Sequence, residues 1–370
     1  MRPFSALFEA MTALVRPDHE RLKSALHSVP GAQLFGHSAR HKCSAYLLEA
    51  FLTHRIGAPE LRPLRVMLQR YAGTFALQAV EARAQTAQIV SVLRDARIPA
   101  VLLKSSARLY AGDPIAERSQ IFDLDALVRP QDADAAVTAL AAAGYAYEQP
   151  GVAAGYRMRH HHLAPLVSPA FSKALELHVA LAPRGSFTLA TGWDALAPYH
   201  RQIEGPAGPA TRLDEYGSAL HLALHGAGLY RLGDVVQIAM IVHGKTALLD
   251  RLAEASAREK VQRVPLQAAL CAAAAMAGLP QRFGADVRRY VAWALEREGL
   301  PRPFRGRMHL TDAYYANGRR LRGPATALAL PAAYANDGVR QTLARRARVL
   351  GGRMLAGAAF AARLPGTGSP

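Results

Sequence analysis

The chain has 370 residues, with 45 Lys+Arg against 28 Asp+Glu and a formal net charge of +17. That length allows about two or three domains and a core large enough to need no disulfide or metal staple. Its two cysteines, Cys43 and Cys271, are too far apart for a CxxC zinc site and exclude a disulfide scaffold. The start, Met1 to Glu9, has no long apolar run. The Ala-rich stretch Leu266–Leu279 falls short of the roughly 20 residues that span a bilayer. The expectation is a cytoplasmic protein with no membrane span.

The charge is uneven. Residues 301–370 carry twelve arginines, among them Arg302, Arg319, Arg320, Arg345 and Arg346, against the two acids Asp312 and Asp337. A basic tail attracts nucleic acid, nucleotides, acidic peptides or a membrane surface. Arg also outnumbers Lys by 39 to 6 over the whole chain, so charge alone does not define a binding patch.

In chain order, residues 3–97 read as helical. From Leu61 to Arg97 the apolar residues, among them Leu64, Tyr71, Phe75, Val80, Ile89 and Leu93, mostly recur at three- and four-residue spacing. Arg97-Ile98-Pro99 breaks the pattern. A β-like run, Ala100 to Lys104, then leads into a helix opened by Ser105-Ser106. Ile121–Val128 is a second strand, Pro130–Ala143 a helix stopped by Gly144, and His162–Val167 and Lys173–Leu181 are further strands. Glu204 to Pro209 reads as a linker. Helical patterns resume at Tyr216–Leu232, Asp234–Val242 and Leu266–Ala277. The expected organisation is a helical N-terminal region (1–97), an α/β core (98–205), a helical C-terminal domain (206–300) and a basic, partly disordered tail (301–370).

The segment Ile121-Phe122-Asp123-Leu124-Asp125-Ala126-Leu127-Val128 carries the most chemistry. In a strand, alternate side chains share a face, so Asp123 and Asp125 point together while Phe122, Leu124 and Ala126 face the core. Two carboxylates on one face repel and are costly near a core, a cost that a divalent cation removes. A solvated polar strand face is the plainer reading of an isolated DxD. Lys173 to Val179 has the same two-residue period, and puts Glu176 and His178 on one face. Glu176 could therefore add a third carboxylate from a neighbouring strand, a cradle for two metals about 4 Å apart. Upstream, Lys104-Ser105-Ser106 lies where a strand runs into a helix start, a place that binds phosphate through free backbone N–H groups.

The order Val101-Leu102-Leu103-Lys104, Asp123-Leu124-Asp125 with Leu127-Val128, Gly144-Tyr145, and Leu175-Glu176-Leu177-His178 resembles the bacterial nucleotidyltransferase family of the DNA polymerase β superfamily. It is similar in particular to the branch whose pattern runs LLKG…DIDLLV…GY…ELHW. His221–Gly226 and Arg231–Val235 resemble that branch's helical C-terminal signature, and the likeness spans roughly residues 60–245. It implies an α+β fold: a small mixed β-sheet nucleotidyltransferase core flanked by helical N- and C-terminal regions. It further implies that Asp123, Asp125 and Glu176 are catalytic acids holding Mg²⁺ (or Mn²⁺). Lys104, Ser105, Ser106, Arg118 and His178 would serve the NTP. The reaction would transfer an NMP to a hydroxyl on a small molecule or peptide, a ribosomal peptide among them, with pyrophosphate leaving. Three positions depart from the pattern: Ser105 stands for its glycine, Arg118 is offset by one residue, and Val179 replaces its Trp. Ser105 would strain a left-handed turn, which keeps a degenerate binding or regulatory module as one alternative. A nucleic-acid-binding protein using the basic tail is another, less favoured.

The remaining candidates have plain readings. His160-His161-His162 precedes a β-like run and could sit near the acids, but exposed strand or loop residues are the expectation, because consecutive side chains cannot all face one metal. His178 is read as a substrate contact or as an orienter of an acid. His221 and His225, at i, i+4, are expected to be a satisfied interhelical pair. Asp234 is expected as an N-cap. The tail residues Tyr314, Tyr315 and Tyr334 are expected in helix packing.

Overall fold

A computed structural model describes residues 1–149, 160–182, 187–225, 231–260, 262–280 and 282–296. The Arg-rich segment 301–370, with its three tyrosines, lies outside the described residues. Five helices open the chain: α1 (Pro3–Val15), α2 (His19–His27), α3 (Gly31–Arg40), α4 (Ser44–Thr53) and α5 (Arg62–Asp95). In α5 the buried residues Leu64, Leu68, Ala72, Phe75, Ala79, Ala82, Thr86, Ile89 and Leu93 form one stripe at three- and four-residue steps. Arg97 then takes a left-handed φ of 58°, and the Ile98 N–H reaches back 2.8 Å to the Leu93 carbonyl. That bond closes the helix end, and Pro99 forbids its continuation.

The chain then builds a mixed sheet from β1 (Ala100–Leu102), β2 (Asp123–Val128), β3 (Ala146–Tyr147), β4 (Leu166–Val167), β5 (Ala174–His178), β6 (His200–Ile203) and β7 (Ala210–Leu213). The spatial order is β3-β4-β5-β2-β1-β7-β6. β2 runs parallel to β5 and β1 parallel to β7, while the other neighbours are antiparallel. Between the strands lie α6 (Lys104–Tyr110), α7 (Pro114–Glu117), α8 (Ala133–Ala142) and α9 (Trp193–Leu196). Helices α10 (Glu215–His225), α11 (Leu232–Val242), α12 (Thr246–Ala257), α13 (Arg263–Ala277) and α14 (Ala285–Glu296) follow. This is an α+β fold, a small mixed sheet between helical N- and C-terminal regions.

Strand alternation sorts the two faces of the sheet. Leu102, Leu124, Ala126, Val128, Leu175 and Leu177 pack with the C-terminal half of α5, α6 and α8 in one core. Val101, Leu103 and Leu127 join the other core, which contains both the N-terminal helices and the helices after β7. There α13 is buried almost all round, as its alanine-rich sequence permits, and ends in the left-handed Gly278 at φ 67°. The helical regions before residue 97 and after residue 206 thus share one core. Asp123 and Asp125 lie on the same face of β2 as Leu127, so the acids look toward these helices.

Two readings of the sequence change here. Phe122 lies just outside β2 and is 52% exposed, so it does not face the core. Glu204–Pro209 is not an interdomain linker: it joins β6 to β7 and wraps Tyr110 of α6. The Tyr110 hydroxyl donates to the Gly208 carbonyl at 2.6 Å and accepts from the Ala207 N–H at 3.2 Å. A Cβ on Gly205 would stand 2.2 Å from the Tyr110 ring, so that position requires glycine. β7 lies beside β1, which carries the sheet on to Leu213. Of the helix expected over Tyr216–Leu232, α10 ends at His225, and residues 226–230 lie outside the described residues.

Candidate active site

The parallel pairing of β2 with β5 sets Asp125 directly opposite Glu176 and Leu127 opposite His178. Both carboxylates and the imidazole therefore share one face. One oxygen or nitrogen from each of Asp125, Glu176 and His178 lies within 4.8 Å of the others. His178 Nε2 is 2.8 Å from Asp125 Oδ1 and 3.7 Å from Glu176 Oε2, and His162 Nε2 is also 3.7 Å from Glu176 Oε2. Two carboxylates and an imidazole suit a divalent cation, and the imidazole extends the choice from Mg²⁺ towards Mn²⁺ and Zn²⁺. Asp123, two residues before Asp125, lies half-buried at the start of the strand, outside this close trio. Its charge still bears on Glu176, Lys104 and Lys42.

The turn from β1 into α6 locks Asp125 in place. The Leu103 N–H donates to the Asp125 carbonyl at 3.0 Å, and the Asp125 N–H donates to Ser106 Oγ at 2.8 Å. Ser106 is buried and positions this acid by its hydroxyl. Lys104 reaches Asp125 Oδ1 with its ammonium at 3.0 Å. The left-handed backbone at this turn falls on Lys104, with φ 43°, and not on Ser105, which sits within α6. The strain expected of Ser105 is therefore carried by the lysine one place earlier. Arg118 points elsewhere: its guanidinium pairs with Glu49 of α4 at 2.8 Å.

The charges are finely balanced. Burial works against an ionised Asp125, but the Lys104 ammonium and the His178 bond outweigh it and hold the carboxyl well below the usual range. Glu176 is not bonded by the ammonium, and the more distant Lys104 charge lowers it less than its surroundings raise it. Burial, then the neighbouring Asp125 and Asp123, push it up to about 7. Like charges facing each other across two strands produce this split.

The histidine run behaves differently from its expectation. His160 is exposed, but His161 and His162 turn inward onto the site. The ring of His178 lies 5.0 Å from His161, 5.2 Å from His162 and 6.4 Å from His221, centre to centre. Burial, then the charge of His178, lowers His162 to about 4 and His161 to about 2, and burial holds His221 well below its ordinary value. Nδ1 of His161, Nδ1 of His178 and Nε2 of His221 are buried with no hydrogen-bond partner among the described residues.

A second polar group borders the acids. His225 Nδ1 lies 3.0 Å from Asp234 Oδ2, and Arg231 Nη1 lies 3.0 Å from His225 Nε2. Asp234 is thus no N-cap: Arg231 takes that place, and Asp234, in the first turn of α11, serves His225. Gly233 between them is required by contact. Its N–H donates to the His41 carbonyl at 3.0 Å, and a Cβ there would lie 2.7 Å from the Lys42 carbonyl oxygen. The sequence reading missed Lys42 altogether, because nothing in the α3–α4 turn marks it. Burial and the nearby Arg231 lower its amine to about 8. Beside Lys104 opens a cleft of about 310 Å³ lined by Arg108, Arg212, His221, Gln237 and Lys245 among others.

A mixed sheet carries paired acids, with a lysine at the helix start behind them and a polar cleft alongside, a group of residues that could hold a cation. The family model described as an uncharacterised nucleotidyltransferase matches residues 33–279, two thirds of the chain, and the chain belongs to that family. The match starts in α3 and so takes in Lys42 as well as every acid of the site. No curated protein and no solved structure matches the chain. No helix among the described residues is long and apolar enough to cross a membrane.

Proposed function

We propose that the protein is a divalent-metal-dependent nucleotidyltransferase of the DNA polymerase β-like branch, moving an NMP from an NTP to a hydroxyl with release of pyrophosphate. The observation that carries this reading is the register of β2 and β5, which stacks Asp125 against Glu176 with His178 alongside. Asp125, Glu176 and His178 would hold one cation, and Asp123, two residues earlier on the same strand face, would share a second. When bound, the metal supplies charge neutralisation at the triphosphate and acidifies the attacking hydroxyl. Lys104 keeps Asp125 ionised and adds positive charge at the start of α6, while the cleft beside it, lined by Arg108, Arg212 and Lys245 as well as Asp113 and Glu215, has the size for a nucleotide. Glu176, with its affinity for a proton near neutrality, would accept the hydroxyl proton as the new P–O bond forms. The acceptor, a small molecule or a peptide, rests on the resemblance alone, as does a choice of ATP.

A second reading has one observation behind it. Lys104 already satisfies Asp125, so the fold stands without a cation and could serve as a binding or regulatory module. Incubation with each labelled NTP, Mg²⁺ or Mn²⁺ and a cell extract decides the matter. Labelled product and pyrophosphate that disappear in Asp123→Asn and Asp125→Asn support transfer. NTP binding without product in any extract supports the module.

A further inference from the structure

Among the described residues no carboxylate bonds the Lys42 ammonium, although Asp234 and Asp123 lie close enough to act on it. Lys42 lies in the turn between α3 and α4, at a left-handed φ of 56°, outside the sheet and far in sequence from the acids. Its backbone is nevertheless fixed against the site, because the His41 carbonyl accepts from Gly233 and no side chain at 233 would fit. The side chain is half-buried, and its Nζ stands 4.4 Å above the ring of Phe122, the exposed residue next to Asp123. No hydrogen bond or ion pair holds this ammonium among the described residues. Arg231, whose like charge bears on Lys42, faces the ring of His225 and not a carboxylate. Asp234 and Asp123 are within electrostatic reach of Lys42 but bond to neither cation.

Two neighbouring like charges repel, and an anion placed against both relieves that repulsion. Lys104, the third cation here, is spent on Asp125. We propose that Lys42 and Arg231 form an anion subsite that takes the terminal phosphates of the nucleoside triphosphate. It would be delivered to the catalytic sheet by the N-terminal helices and closed by the Arg231-Leu232-Gly233-Asp234 segment. Gly233 admits the Lys42 backbone, Asp234 orients His225, and His225 in turn holds the guanidinium. The segment thereby gains a mechanism that its sequence does not announce.

The inference rests on the nucleotidyltransferase reading, and the test separates the two. Titration calorimetry on the full chain would use Mg²⁺ with inorganic tripolyphosphate, which needs no knowledge of the base, and with each α,β-methylene nucleoside triphosphate. Lys42→Met keeps the stem over Phe122 and removes the charge, and Lys42→Arg restores it. A lost charge-assisted contact should weaken tripolyphosphate binding by roughly tenfold or more in Lys42→Met. Lys42→Arg should stay within about threefold of the parent, and nucleoside monophosphate binding should not move. The arginines of 301–370 contribute equally to all three proteins, so the difference reads the subsite. Equal tripolyphosphate affinity in the parent and Lys42→Met, with unchanged melting temperature, overturns the subsite and leaves nucleotide transfer standing. A parent chain that binds none of the triphosphates removes both.

Discussion

Asp125 and Glu176 face each other across a parallel strand pair, yet one is held strongly acidic and the other titrates near neutrality. The difference is the Lys104 ammonium and the His178 ring, both of which bond Asp125 directly while Lys104 acts on Glu176 only from a distance. Removing either acid should therefore abolish transfer, but with opposite effects on the metal-free fold. Asp125→Asn strands the Lys104 charge and should cost about 3–5 kcal/mol. Glu176→Gln removes a repelled carboxylate and at pH 8 should stabilise the fold by about 1–3 kcal/mol. Thermal melts in chelator decide it: two destabilised variants would refute this division of roles.

Metal binding should depend on pH through Glu176. A cation needs the carboxylate, and below about 7 the folded protein keeps it protonated. Affinity for Mn²⁺ should therefore fall by about tenfold between pH 8 and pH 6, with a proton released on binding at the lower pH. Titration calorimetry in buffers of different ionisation heat measures both, and Glu176→Gln should flatten what binding is left.

The inward histidines set the acid limit of the fold. Their folded values lie below the ordinary imidazole range for His161, His162, His221 and His225. As pH falls through about 6.5 the unfolded chain gains protons that the folded chain refuses, so stability is lost downward from there. Glu176 acts in the opposite sense between about 7 and its unfolded value near 4.5, but it is one group against four. The melting temperature should drop steadily from pH 7 to pH 5. His162→Gln should shrink that drop, and an unchanged slope would argue against the buried ring.

Gly233→Ala forces its Cβ onto the Lys42 carbonyl, a backbone atom that cannot swing aside. The expected cost is about 1–3 kcal/mol in a chemical melt. Displacement of the α3–α4 turn should also lower tripolyphosphate affinity in line with Lys42→Met. Normal stability with normal binding would show that the contact tolerates more than its geometry allows.

The strand acids were legible in the sequence because a period of two survives any tertiary context: Asp123, Asp125, Glu176 and His178 share a face by arithmetic. The α5 stripe was legible for the corresponding reason at 3.6 residues. β6 and β7 were not, since His200–Ile203 and Ala210–Leu213 are short, partly polar and show no alternation. Ser106 was read as a phosphate ligand, but its hydroxyl bonds an amide that no local pattern connects to it. The placement of His161 and His162 depends on the path of a loop, and that of Lys42 on a helix turn some 190 residues from Gly233. Such pairings are set by packing, which a single chain of letters does not spell out.

The hydrogen bond from Gly233 to His41 also bears on how this molecule can be divided. A fragment started at residue 98, the boundary suggested by the strand-rich stretch, would keep the acids. It would uncover the faces of α11 and α13 that share a core with Phe4, Leu7 and Met11 of α1. Such a fragment should aggregate, and a graft of these strands onto another helical frame should inherit the acids without the amine. A cut at residue 98 divides the shared core, so expression fragments should keep α1 to α14 together.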